Sequence, residues 1–255
     1  VARLDFLGIT DHSRDLAMGN ALSQLWWRSQ KEATRHELPP KFVPFFAYER
    51  SHGNTADHNV ISLRADRLRP HTYPVPEFWQ ERELDDQTLT IPHQPIRRDT
   101  WAYQNDRLRP LVEMYQGCRD ASIEDHVHEG LGKGFHLGFI ASSDHLSTSA
   151  SYACVWAEAP TRDAIFAALR ARRTYAATAK IELSVRSGRF WMGERAAVDE
   201  LGPVELHAVG TDVVASVEMI VDGQLAERFA QHCRQVDLQV EKTFAQVQYI
   251  YFRIV

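Results

Sequence analysis

Seven short apolar runs, each the length of a β-strand, punctuate the first 178 residues: Leu4 to Thr10, Phe42 to Tyr48, Asn59 to Leu63, Thr88 to Ile91, Leu111 to Tyr115, Leu137 to Ala141 and Tyr152 to Trp156. Between the first two, Met18, Leu22, Leu25, Trp26 and Ala33 recur with the 3.6-residue period of a helix, and Pro39-Pro40 close it. A second helix is expected from Thr161, an N-cap type of residue, with Asp163 in its first turn, Ile165, Phe166 and Leu169 on one face, and Arg170, Arg172 and Arg173 where the helix dipole favours cations. Strands alternating with helices are the habit of βα units around a parallel sheet, so residues 1–178 read as one α/β domain.

After Thr178 the texture changes. Alternating segments run from Ile181 to Arg186, Val204 to Val209, Val213 to Val221, Val236 to Val240 and Val247 to Ile254, and Asp222-Gly223 is a hairpin signal between two of them. Residues 179–255 therefore read as a small β-sandwich-like appendix, in which Trp191 is expected to pack rather than bind.

Composition narrows the function classes. The 255 residues carry a formal charge of 29 − 34 = −5 and are 44% hydrophobic, which is too apolar for disorder. No stretch approaches the roughly 20 apolar residues of a membrane span, and no Lys/Arg cluster suggests a nucleic-acid surface. Three cysteines, Cys118, Cys154 and Cys233, make a disulfide framework improbable on number alone. The chain opens directly in an apolar run without Met or a signal-type segment, so it reads as a fragment cut upstream, with its compartment unreadable.

The chemistry is concentrated in histidines and acids at the ends of the runs. Asp11-His12 follows the first run, Glu49 the second, His93 the fourth and Asp144-His145 the sixth. The gaps 49 − 12 = 37, 93 − 49 = 44 and 144 − 93 = 51 each leave room for one βα unit of about 31 residues plus a loop, so the blocks can share one rim. Imidazole mixed with carboxylate suits Zn²⁺, Mn²⁺ or Fe²⁺, and a carboxylate can bridge two such ions. His52 and His58 lie close enough after Glu49 to reach the same rim from a loop. Glu113, an acid inside an apolar strand, needs a partner or an ion. His36, His71, His126, His128, His136, His207 and His232 read as hydrogen-bonded or surface imidazoles.

The strings LDFLGITDHS, FVPFFAYERSHGNTADHNV, IPHQP, LVEMYQG, GFIASSDH and VWAEAPTRDAIFAALRARRTYAATAKIEL, with Met192-Gly193 beyond them, resemble the PHP (polymerase and histidinol phosphatase) superfamily of metal-dependent phosphoesterases, and within it an uncharacterised branch, domain of unknown function 3604. That resemblance implies a distorted (β/α)7 TIM-like barrel holding two or three divalent cations at its strand ends. His12, Glu49, His93 and Asp144 would be ligands, with Glu49 bridging. Asp11 would orient a neighbour or accept a proton, and His145 would act as a ligand or in catalysis. Arg119, or Arg97 or Arg98, would hold a phosphate in its guanidinium fork.

Three features depart from that pattern. The family's opening His-x-His would lie upstream of Val1, Asp144 and His145 are adjacent rather than spaced by one, and Cys118 stands where relatives place a histidine. The expected activity is hydrolysis of a small phosphoester by metal-activated water. The alternatives are a metal hydrolase acting on an amide or sulfate ester, and a non-catalytic ligand-binding barrel.

Overall fold

The computed structural model describes residues 3–13, 20–51, 56–65, 70, 74–81, 86–93, 100–119, 121–145, 150–241, 244 and 246–255. Met18, His52, His71, Arg97 and Arg98, singled out above, lie outside them. In chain order the elements are β1 (Phe6–Gly8), α1 (Asn20–His36), β2 (Val43–Arg50), β3 (Asp57–Ser62), α2 (Val75–Glu81), β4 (Thr88–His93), β5 (Leu111–Gln116), β6 (Ala121–Ser122), α3 (Glu124–Gly132), β7 (Gly138–Ser142), β8 (Tyr152–Val155), α4 (Arg162–Arg170), β9 (Thr174–Ala177), β10 (Glu182–Ser187), β11 (Phe190–Trp191), β12 (Val204–Val221), β13 (Gln224–Val240) and β14 (Ile250–Ile254). None of these helices is long and apolar enough to cross a membrane. Two compact units result, one of Val1–Glu113 with Val155–Ala171, the other of Met114–Cys154 with Arg172–Val255.

The seven apolar runs are all strands, but the (β/α)7 barrel expected from them is not what forms. The described strands make four separate small sheets, mostly antiparallel, and none closes into a barrel. The reason is connection length. A parallel crossover takes a dozen or more residues, and the stretch that carries α1 makes one, giving the parallel pair β1–β2. Residues 51–56 are too few to return the chain to the same end, so β3 pairs antiparallel to β2; β4 is also antiparallel to β3, although residues 63–87 are long enough for a crossover. Strands β1, β2 and β4 consequently run the same way, with β3 opposed between β2 and β4.

In the first unit the faces of β2, β3 and β4 alternate with period two. One face carries Tyr48 and Val60, which pack with Trp26 of α1, Val75, Phe78 and Trp79 of α2, and Leu108. The Trp26 and Tyr48 rings meet edge to face at 5.9 Å. Thr161 caps α4 by accepting from the Ala164 amide at 3.3 Å, and Phe166 of that helix leans on Phe45. Arg162 donates from Nε to the Pro44 carbonyl at 2.9 Å, while its guanidinium also pairs with Glu37.

In the second unit the C-terminal residues form one five-stranded antiparallel sheet in place of the expected sandwich-like pair of layers. Its order is β11-β10-β12-β13, with β14 on the far half of β12. The two runs Val204 to Val209 and Val213 to Val221 are one strand, interrupted by register shifts after Val209. Asp222 and Gly223, at φ 49° and 80°, make the tight β12–β13 turn as expected. The buried side of this sheet is lined by Leu183, Leu206, Ala208, Val214, Val217 and Val236. Tyr251 of β14 donates its hydroxyl to Glu124 of α3 and lies 2.7 Å from Nε2 of His128.

Candidate functional site

The open end of the first unit's sheet collects acids and imidazoles because three strands finish there. His12 bridges Glu49 in parallel register, with the same 37-residue offset that pairs Phe6 with Val43. Glu49 of β2 stands opposite Asn59 of β3, and Asp57 of β3 opposite His93 of β4. Directly paired residues share a face, so His12, Glu49, Asp57, Asn59 and His93 lie on the side away from the Tyr48–Val60 core. His58, one residue out of step, falls on the other face.

The contacts form a chain. Glu49 turns one oxygen to each of two imidazoles: Oε1 is 3.4 Å from Nε2 of His12 and Oε2 is 3.7 Å from Nε2 of His93. On its other side the His93 ring sets Nδ1 3.1 Å from Oε2 of Glu113, an acid wholly buried in β5. Glu49 and His93 are each 4% exposed, whereas the His12 side chain is 29% exposed and forms the solvent side of the cluster. Beside Glu49, Oδ1 of buried Asn59 has no hydrogen-bond partner among the described residues. The Asp11 side chain is exposed, and its carbonyl accepts from the Glu49 amide at 2.9 Å.

A tetrahedral ion with bonds of about 2.1 Å has ligand atoms about 3.4 Å apart, which the His12–Glu49 separation matches. Asn59 adds a neutral oxygen of the kind hard cations accept. Among the described residues, however, no group of three or more His, Cys, Asp or Glu side chains is placed to hold one ion. An ion on the His12–Glu49 edge would fit as a site with two protein donors and open positions.

Behind the sheet lies a polar layer that sequence reasoning missed. Arg109, wholly buried, has its guanidinium 5.3–5.4 Å from the ring centroids of Trp79, Trp101 and Tyr103. It donates to the Thr100 carbonyl at 2.8 Å, the Gln104 amide oxygen at 2.7 Å and the Tyr103 carbonyl. His58 donates from Nδ1 to the Ala56 carbonyl at 3.0 Å, leaving Nε2 as an acceptor 3.5 Å from Arg109. Burial, then the Arg109 charge, hold the His58 imidazole well below its ordinary pKa, so it is neutral. The only local signal for this layer was an arginine amid aromatic residues.

The second unit holds the remaining expected residues. Asp144 sits in the left-handed region at φ 56° just past β7. Its Oδ2 accepts from Nε2 of Gln116 at 2.6 Å and from the Cys118 thiol at 3.3 Å, and its Oδ1 lies 3.4 Å from Nε2 of His145. Gly117 lets the Ala150–Ser151 backbone pass close by, since a Cβ there would fall 2.7 Å from Cβ of Ala150. Arg119 contributes backbone to the short 3₁₀ turn Gly117–Arg119, and its side chain lies outside the described residues.

Residues 113–207 match the model of a family described as a protein of unknown function (DUF3604). No curated protein and no solved structure matches the chain. The family match carries no statement about the PHP superfamily.

Proposed function

We propose that the protein is a divalent-cation-dependent hydrolase, with a small phosphoester as its substrate and its centre on the Glu49 face of the first unit. The observation that carries this reading is that one buried carboxylate presents separate oxygens to two imidazoles. With the His93 proton on Nδ1 toward Glu113, Nε2 meets Oε2 of Glu49 lone pair to lone pair, an arrangement that a proton or a cation relieves. The resemblance to PHP phosphoesterases supports the same chemistry. His12 and Glu49 would hold the cation, with the Asn59 amide oxygen on the same face of the sheet. Once bound, it would supply a water acidic enough to ionise near neutral pH and neutralise phosphate oxygens.

The chain's own contributions follow from burial. Glu113, against Nδ1 of His93, sets which nitrogen of that ring faces Glu49. His12, the most exposed member, stands on the solvent side of the cluster, where a substrate would approach. The test is metal analysis of the purified chain after equilibration with Mn²⁺ or Zn²⁺, alongside turnover of generic phosphomonoesters and diesters. We expect bound metal and turnover, and at least a thousandfold loss of turnover in Glu49→Gln. Turnover unchanged in Glu49→Gln overturns the reading.

A second reading is an ion-free binding module that takes its ligand on the same imidazole–carboxylate face. The lack of a three-donor group among the described residues favours it. Metal analysis separates the two, since this reading requires that no stoichiometric ion be retained.

A further inference from the structure

The outer face of the second unit's five-stranded sheet carries a row of three residues with complementary chemistry. Ser184 of β10 stands directly opposite His207 of β12, and His207 directly opposite Asp237 of β13. Leu183, Leu206, Ala208 and Val236, one step out of phase, face the core, which places the row toward solvent. Opposed residues of an antiparallel pair have Cβ atoms about 4.5–5.5 Å apart, so one imidazole can span from its acid toward its serine.

The acid side of the row is built. Nδ1 of His207 lies 2.6 Å from Oδ1 of Asp237, and the other carboxylate oxygen accepts from Nε2 of Gln235 at 3.0 Å. Those hydrogen bonds, His207 first, hold the Asp237 carboxyl below the usual carboxylate range. A carboxylate fixed at both oxygens keeps the imidazole proton on Nδ1, so Nε2 offers its lone pair on the side away from Asp237, where Ser184 stands. Two residues along each strand a second row shares this face: Arg186, Glu205 and Gln239. The Arg186 guanidinium stacks 3.6 Å from the Trp191 ring centroid. Both rows line an open groove of about 490 Å³, a size that suits a small molecule.

We propose that Ser184, His207 and Asp237 form a nucleophile–base–acid site for small carboxylic esters, separate from the Glu49 cluster. As the Ser184 Oγ bonds to the acyl carbon, its proton passes to Nε2 of His207. The developing oxyanion is met by Arg186, because the strand amides are committed to the ladder. The ester C–O bond then breaks and the alcohol leaves with the proton from Nε2. Water, deprotonated by the same nitrogen, attacks the acyl carbon, releasing the carboxylic acid and the free serine.

The test uses the whole chain with a fluorophosphonate probe, peptide mapping of the label, and p-nitrophenyl acetate turnover. We expect label on Ser184 above that on other exposed serines. Ser184→Ala should remove it, and His207→Gln should slow it by at least about a hundredfold, with Asp237→Asn slowing it as well. These side chains sit on the sheet's outer face, and unchanged thermal unfolding would show that each variant is folded. Chelator and Glu49→Gln should leave the labelling unchanged, which keeps this result independent of the metal-site reading. Labelling of Ser184 no faster than of other serines, or a rate indifferent to His207→Gln, overturns the proposal.

Discussion

Oε2 of Glu113 lies 3.1 Å from Nδ1 of His93, joining an acid wholly buried in β5 to an imidazole that is itself almost fully buried on β4. With the Glu113 carboxylate against Nδ1, the other ring nitrogen, Nε2, faces Glu49. Glu113 is thus a positioning residue for the Glu49 face.

Glu113→Gln preserves shape and removes the charge that fixes the His93 ring. Under the metal-hydrolase reading His93 borders the ligand Glu49 and Glu113 acts one step further out, so Mn²⁺ or Zn²⁺ affinity should fall by up to about tenfold, the lower end of the effect of a ligand's direct outer partner. Titration calorimetry measures it, and an unchanged affinity would remove Glu113 from the site.

Arg109→Lys should destabilise the first unit by about 3–5 kcal/mol, although charge is conserved. A lysine is a point donor on a flexible stem and cannot reach the Thr100, Tyr103 and Gln104 oxygens together, nor stack flat among the three rings. Urea denaturation of the variant against the parent chain reads the difference.

His58 links stability to acidity. Its native pKa lies below the unfolded value of 6.5, so above pH 6.5 both states are neutral at this site and it contributes no slope. As pH falls below 6.5 the unfolded chain takes up a proton that the native one refuses, and stability drops by up to about 1.4 kcal/mol per pH unit until the native pKa is reached. Between pH 6.5 and 5.5 the parent chain should lose more stability than His58→Gln. Equal losses in denaturation series at the two pH values would contradict this account.

Gly193→Ala should destabilise the second unit by more than about 2 kcal/mol. Gly193 has φ 87°, and a Cβ there would fall 2.1 Å from the Arg172 carbonyl oxygen, so backbone has to move. His136, whose Nε2 lies 2.8 Å from the Gly193 carbonyl, would be displaced with it. Thermal unfolding is the measurement, and a wild-type midpoint would show that the loop adapts freely.

Much of this organisation is legible in the sequence. The apolar runs name the strands, Thr161 marks the start of α4, and Asp222-Gly223 marks a turn, because each depends on neighbours in the chain. The 37-residue spacing of His12 and Glu49 is also the β1–β2 register, so that pairing was written in the spacing itself. What the run pattern misread was strand direction, since it pointed to a parallel sheet. With only six residues between them, β2 and β3 pair antiparallel, which changes the sheet from parallel to mixed.

Local patterns follow from chain-bound properties, the period of alternation and the conformations that single residues tolerate, and these the sequence determined by itself. Which strand lies beside which, and therefore which side chains share a face, depends on hydrogen bonds between remote segments. Only the tertiary structure put Asn59 rather than His58 next to Glu49, surrounded Arg109 with three rings, and lined up Ser184, His207 and Asp237 across three strands.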